Sequence, residues 1–185
     1  RLLIGIISST PNLELKLVGD KSLNKRNMEN IVNLMTKFGA FFLPKNKFNF
    51  PLKVLSTTMP VGINYKSGVS AQLKSAVILA GLNSYGLTEI IVKEKRRDHT
   101  EKMIEHCGGK IDIQNSSEGK IITLHKTNLS EISSYEVVGD FSSAAFIIVA
   151  ALISKKSKIL IKNVGLNETR IGLLEVLLKM NANIK

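Results

Sequence analysis

Ser70-Ala71-Gln72-Leu73-Lys74-Ser75-Ala76-Val77-Ile78-Leu79-Ala80-Gly81-Leu82 is the stretch on which the fold turns. Apolar residues over 71–82 fall nearly all round a helix instead of along one stripe, so a helix here must be covered on every side. Ser70 stands where an N-cap is expected. Next comes Thr88-Glu89-Ile90-Ile91-Val92, short and β-branched, which predicts a strand. A polar turn over 93–98 leads into a second helix with Met103, Ile104 and Cys107 on one stripe. That helix ends at Cys107-Gly108-Gly109, with Gly108 placed for a left-handed C-terminal cap.

The same order recurs on either side. Upstream, a helix from Arg1 is followed by a strand over 13–18, a turn over 19–26 and an amphipathic helix ending at Phe38-Gly39-Ala40. Met28, Ile31, Val32, Leu34 and Met35 form that helix's apolar stripe. Downstream, Ser142 precedes an apolar helix over 144–153, a strand over 158–164, a turn over 165–168 and a helix ending near Met180-Asn181-Ala182. The helix ends at 39, 108 and 181 lie 69 and 73 residues apart, which marks a repeated supersecondary block. Further strands are expected over 52–55, 62–65, 110–113, 120–125 and 135–138. Asn115-Ser116-Ser117-Glu118-Gly119 turns one hairpin. Each block therefore reads roughly βαβαββ around a buried first helix. With Ser70 and Ser142 or Ser143 capping buried helices, converging N-termini would present free N–H groups and partial positive charge to an anion.

Charge supports an anionic partner only weakly. The chain has 26 Lys and Arg against 15 Asp and Glu, a net charge of +11, and all but five of the 26 are Lys. Lysine of that abundance is mostly a solvated face. The scarce arginines carry more information, because a guanidinium holds phosphate or carboxylate through a planar fork. Arg26, Arg96, Arg97 and Arg170 each lie in a compact polar motif. A basic nucleic-acid-binding module is disfavoured by 5% aromatics, no Trp and no helix-turn-helix pattern. One cysteine, Cys107, forms no internal disulfide and no multi-cysteine metal site. No run reaches the roughly 18 apolar residues of a membrane span. A cytoplasmic protein without membrane or nucleic-acid partners is expected, as a monomer, with no cofactor and no metal. The basic-then-apolar start, residues 1–7, reads as part of a helix and not as a signal peptide.

Five motifs in order resemble those of the enolpyruvyl transferases, EPSP synthases in particular. They are Gly19-Asp20 to Arg26-Asn27-Met28, Ser70-Ala71-Gln72-Leu73-Lys74-Ser75-Ala76, Arg97-Asp98-His99-Thr100-Glu101, Gly139-Asp140-Phe141-Ser142-Ser143 and Asn167-Glu168-Thr169-Arg170. The resemblance implies an inside-out α/β barrel of repeated units. It also implies transfer of the enolpyruvyl group from phosphoenolpyruvate to shikimate 3-phosphate with release of phosphate. By the same resemblance Arg26 would hold phosphoenolpyruvate, and Ser70, Ala71 (through its backbone), Gln72 and Arg97 would hold shikimate 3-phosphate. Arg96 would face solvent, Asp98 would cap a helix, and His99 would be a structural hydrogen-bonder. Lys74 receives no ligand role. Asp140, Asn167 and Arg170 would fix turns and inter-unit contacts and not bind substrate. Asn27 replaces the family's proline, which is expected to loosen the helix start. The family's general acid and base lie in segments absent from these residues, so the chain is expected to be an internal fragment, inactive alone. Residues 1–139 would belong to one cleft-forming domain and 140–185 to the start of the other. The related UDP-N-acetylglucosamine enolpyruvyl transferases stay open as an alternative, although Cys107, at a helix end, is not in the place of their reactive cysteine.

Overall fold

The computed structural model of the chain describes residues 1–93, 97–132 and 134–185. They divide into two compact units, 1–131 and 132–185.

In the first unit, β4 (Asn64–Ser67), α4 (Ala71–Gly81), β5 (Thr88–Val92), α5 (His99–His106), β6 (Ile111–Ser116) and β7 (Gly119–Leu124) make one βαβαββ block. Its sheet runs β4-β5-β7-β6, with β4 parallel to β5 and the remaining pairs antiparallel. Parallel neighbours need a crossover, and α4 supplies it. Strand β5 buries Thr88, Ile90 and Val92 on one face, in register with Ile122 and Leu124 of β7. That face meets α4, where Gly81 approaches Thr88 and Leu124.

The preceding block repeats the arrangement. Helix α1 (Leu2–Ser9), β1 (Glu14–Leu17), α3 (Glu29–Lys37), β2 (Phe41–Leu43) and β3 (Leu52–Leu55) form a sheet in the order β1-β3-β2. This is the order β5-β7-β6 of the second block. Helices α1 and α4 start at residues 2 and 71, 69 positions apart. The stripe foreseen on α3 is fully buried. Gly39 and Gly108 take the left-handed conformation (φ +105° and +74°) that ends their helices. On α5, however, Met103 is exposed, and Ile104 shares the buried face with Glu101.

Helix α4 is covered as its sequence requires: Ala76, Val77, Ile78 and Ala80 have no exposed surface. Helix α1 lies so close that a Cβ on Gly5 would stand 2.1 Å from the Ala76 carbonyl oxygen. Two elements escape the periodicity reading. The stretch over 19–26 contains a one-turn helix, α2 (Lys21–Asn24), capped by Asp20 accepting from the Leu23 N–H at 2.6 Å. Strand β2 is three residues long, too short to show an alternation.

The second unit departs further. It holds α6 (Phe141–Ile153) and α7 (Gly172–Lys179), but the strands expected over 135–138 and 158–164 do not form. A single bridge forms beside them, Gly139 to Val164, among the described residues. A strand requires a partner ladder, and the described residues of 132–185 supply none. For the same reason α6 is uncovered: only Phe141 and Ala144 are buried, while Phe146 is 81% exposed. Its N-cap is Asp140, whose carboxylate accepts from the Ser142 N–H at 3.2 Å; the expected serine caps do not occur.

Candidate functional site

Ser70 caps α4, its Oγ accepting from the Leu73 N–H at 3.4 Å. A hydroxyl that accepts one bond still has its own proton to donate, so capping and anion binding are compatible here. The N–H groups of Ala71 and Gln72 lie in the first turn, where no intrahelical carbonyl is within reach. With the positive end of the helix dipole they form a surface suited to phosphate. Ala71 is half-buried and Gln72 exposed.

One turn further along, Lys74 is only 2% exposed. Its ammonium donates to the Glu101 carboxylate on α5 and, at 2.6 Å, to the backbone carbonyl of Arg97. Beside this pair Thr100 Oγ1 donates to Ser75 Oγ at 2.7 Å. The Arg97 backbone and the start of α5 are thus held against the first two turns of α4. The Arg97 guanidinium is exposed and has no partner among the described residues, leaving its fork available.

Asp98 occupies the N-cap position of α5 without a side-chain cap bond, and its carboxylate pairs with Lys102 at 3.0 Å. His99 is exposed and its side chain makes no hydrogen bond among the described residues, so the structural role expected for it is not met. Arg96 lies outside the described residues. Cys107 is half-buried at the C-cap of α5, where its carbonyl accepts from the Ser130 N–H at 2.8 Å.

Arg26 belongs to the other block, in the connection between α2 and α3. Its side chain is exposed, and its carbonyl accepts from Asn49 Nδ2 at 3.2 Å. The neighbouring Asn27 does not loosen the helix start. Its Oδ1 accepts from the Glu29 N–H at 2.7 Å and its carbonyl from Arg1 Nη2 at 2.9 Å, so the side chain performs a cap's function. The structure therefore ties Ser70, Ala71, Gln72 and Arg97 together. Among the described residues, no hydrogen bond links Arg26 to them.

In the second unit Arg170 Nη2 pairs with Asp140 at 2.9 Å, and Asn167 Oδ1 accepts from the Thr169 N–H at 2.8 Å. The Asn167 bond fixes a turn, whereas the Arg170–Asp140 pair joins positions 30 residues apart in the chain. The Ser142 N–H, and after it the Arg170 guanidinium, hold the Asp140 carboxyl below the usual range. Among the described residues no His, Cys, Asp or Glu cluster could hold a metal ion, and no helix is long and apolar enough to cross a membrane.

Comparison with known proteins adds lineage to this geometry. A family model described as EPSP synthase (3-phosphoshikimate 1-carboxyvinyltransferase) matches residues 1–185. The 3-phosphoshikimate 1-carboxyvinyltransferase of Petrotoga mobilis is 43% identical over 187 residues, covering 100% of the chain and 42% of that protein. The protein of the same name from Roseobacter denitrificans is 40% identical, covering 100% of the chain and 41% of that protein. A solved EPSP synthase structure from Acinetobacter baumannii superposes with a TM-score of 0.82 at 34% identity, covering 98% of this chain and 40% of that one. The chain thus spans about two fifths of the length of the relatives it matches. The fold class is the inside-out α/β type, with α4 inside and the β4–β7 sheet laid against it.

Proposed function

The chain belongs to the EPSP synthase family, and from that premise we propose that the full-length protein transfers the enolpyruvyl group of phosphoenolpyruvate to shikimate 3-phosphate, releasing phosphate. One observation carries the reading: the Lys74 ammonium joins the Arg97 carbonyl to α4, so the capped helix start and a guanidinium with no partner among the described residues are linked directly. A phosphate monoester suits that arrangement. Ser70 donates a hydroxyl proton, Ala71 and Gln72 present backbone N–H groups, the Gln72 carboxamide reaches toward the second substrate, and the Arg97 fork takes two phosphate oxygens. Arg26, on the neighbouring block, pairs with the carboxylate or phosphate of phosphoenolpyruvate. These groups bind, neutralise and orient. Proton transfer falls to residues of the full-length protein outside this chain, so residues 1–185 alone are inactive.

Residues 1–139 belong to one domain and 140–185 open the other, a reading supported by the break between residues 131 and 132, eight residues before that boundary. The protein acts as a cytoplasmic monomer, without nucleic-acid or membrane partners. The experiment is phosphate release by the full-length protein. It should require shikimate 3-phosphate and phosphoenolpyruvate together. Release with UDP-N-acetylglucosamine in place of shikimate 3-phosphate would overturn the assignment in favour of the sister activity.

A further inference from the structure

Lys74 and Glu101 are 2% and 3% exposed, so each has given up its hydration. Apolar side chains of similar volume commonly stabilise a fold as well as a buried ion pair or better. Stability therefore does not account for the pair, whereas its geometry suggests what does. Lys74 lies one turn after Ser70 on the same face of α4, its N–H reaching the Ser70 carbonyl at 3.3 Å. One Glu101 oxygen receives the ammonium; the other is buried and meets no donor among the described residues. The carboxylate thus anchors Nζ, and a second ammonium proton is directed at the Arg97 carbonyl, 2.6 Å away.

We infer that Lys74 and Glu101 are positioning residues that hold the Arg97 backbone so that its guanidinium is presented to the same phosphate as the α4 N-terminus. The inference rests on the proposed role of Arg97 as a phosphate ligand. An exposed arginine on an unanchored turn must be ordered each time ligand binds, at a cost in affinity. Fixing its backbone beforehand removes part of that cost. The pair touches no substrate and acts only through Arg97.

The test is a double-mutant cycle in the full-length protein, read by calorimetric titration with shikimate 3-phosphate. Lys74→Met alone leaves a buried carboxylate unpaired and can unfold the protein. The informative variant therefore combines Lys74→Met with Glu101→Leu, removing both charges. In an otherwise wild-type background it should raise the Kd for shikimate 3-phosphate about tenfold, the worth of one charge-assisted hydrogen bond. The Kd for phosphoenolpyruvate should stay within about twofold, and the melting temperature should be retained. In an Arg97→Ala background the paired change should alter the Kd by less than about twofold, because there is no guanidinium left to position. Equal losses in both backgrounds would make the pair a packing element and overturn the inference, as would a paired variant that no longer folds. Arg97→Ala weakening binding while the paired variant binds normally would overturn the positioning role alone. An Arg97→Ala protein that binds like wild type would remove the proposed ligand role and the inference with it.

Discussion

Replacing Gly5 by alanine adds one methyl group to a helix, and helix propensity alone favours the change by about 1 kcal/mol. The packing of α1 on α4 should reverse that sign. The new Cβ would lie 2.1 Å from the Ala76 carbonyl oxygen and 2.8 Å from its carbon. An ordinary contact starts near 3.4 Å, so the helices would have to part by about 1.3 Å. No rotamer can relieve the clash, because both sides are backbone. The α1 face turned inward is built for closeness, with Gly5, Ser8 and Ser9 beside Ile4. Overpacking of a dense core costs about 1–3 kcal/mol, and a backbone collision belongs at the upper end. The net expectation is a loss of about 2 kcal/mol. Denaturant unfolding of the full-length protein should show an earlier midpoint for Gly5→Ala. Hydrogen exchange should assign the loss to the amides of α1 and α4. A variant as stable as wild type, or stabilised as propensity predicts, would refute the close packing of these helices.

Three further outcomes follow from the site and its surroundings. Arg26→Ala in the full-length protein should weaken phosphoenolpyruvate binding about tenfold to a hundredfold and leave shikimate 3-phosphate nearly untouched, as separate titrations would show; equal losses for both would contradict its role. Ser70→Ala should weaken shikimate 3-phosphate binding and also cost about 1 kcal/mol in helix capping, whereas Ser70→Asp should restore the cap but repel the phosphate. Asp140 has its carboxyl held low by the Ser142 N–H and Arg170, so its stabilising effect is complete above the unfolded value of about 3.9 and is lost as pH falls through the folded value. Amide exchange at the start of α6 should therefore accelerate in that acid window, and Asp140→Asn should flatten the dependence.

The elements legible in the sequence are those whose cause is local. Helix α4 announced itself through apolar residues on all sides, β5 through a β-branched run, and the helix ends through Gly39 and Gly108. Residues 158–164 carry an equally good strand pattern and form no strand, because pairing depends on neighbours far away in the chain. Residues 144–153 read as enclosed, but all except Ala144 are exposed or half-buried, for the same reason. Among the site residues, Ser70 could be found as a cap and Arg97 as an arginine beside a helix start. The Lys74–Glu101 pair could not. Glu101 sits in an amphipathic helix where a carboxylate ordinarily meets water, and its partner is 27 residues away. The available signal was Lys74 itself, a charge in the middle of a helix too apolar to spare it a wet face.

In the proposed site one phosphate is held jointly by the α4 N-terminus and Arg97. Calorimetric titration of the full-length protein with shikimate 3-phosphate, comparing wild type with Arg97→Ala and Arg97→Lys, measures this directly. Arg97→Ala should raise the Kd about tenfold to a hundredfold with an unchanged melting temperature. Arg97→Lys should recover only part of the loss, because an ammonium keeps the charge but not the two-pronged fork. Wild-type affinity in Arg97→Ala, at unchanged stability, would make Arg97 an ordinary surface charge and contradict the proposed site.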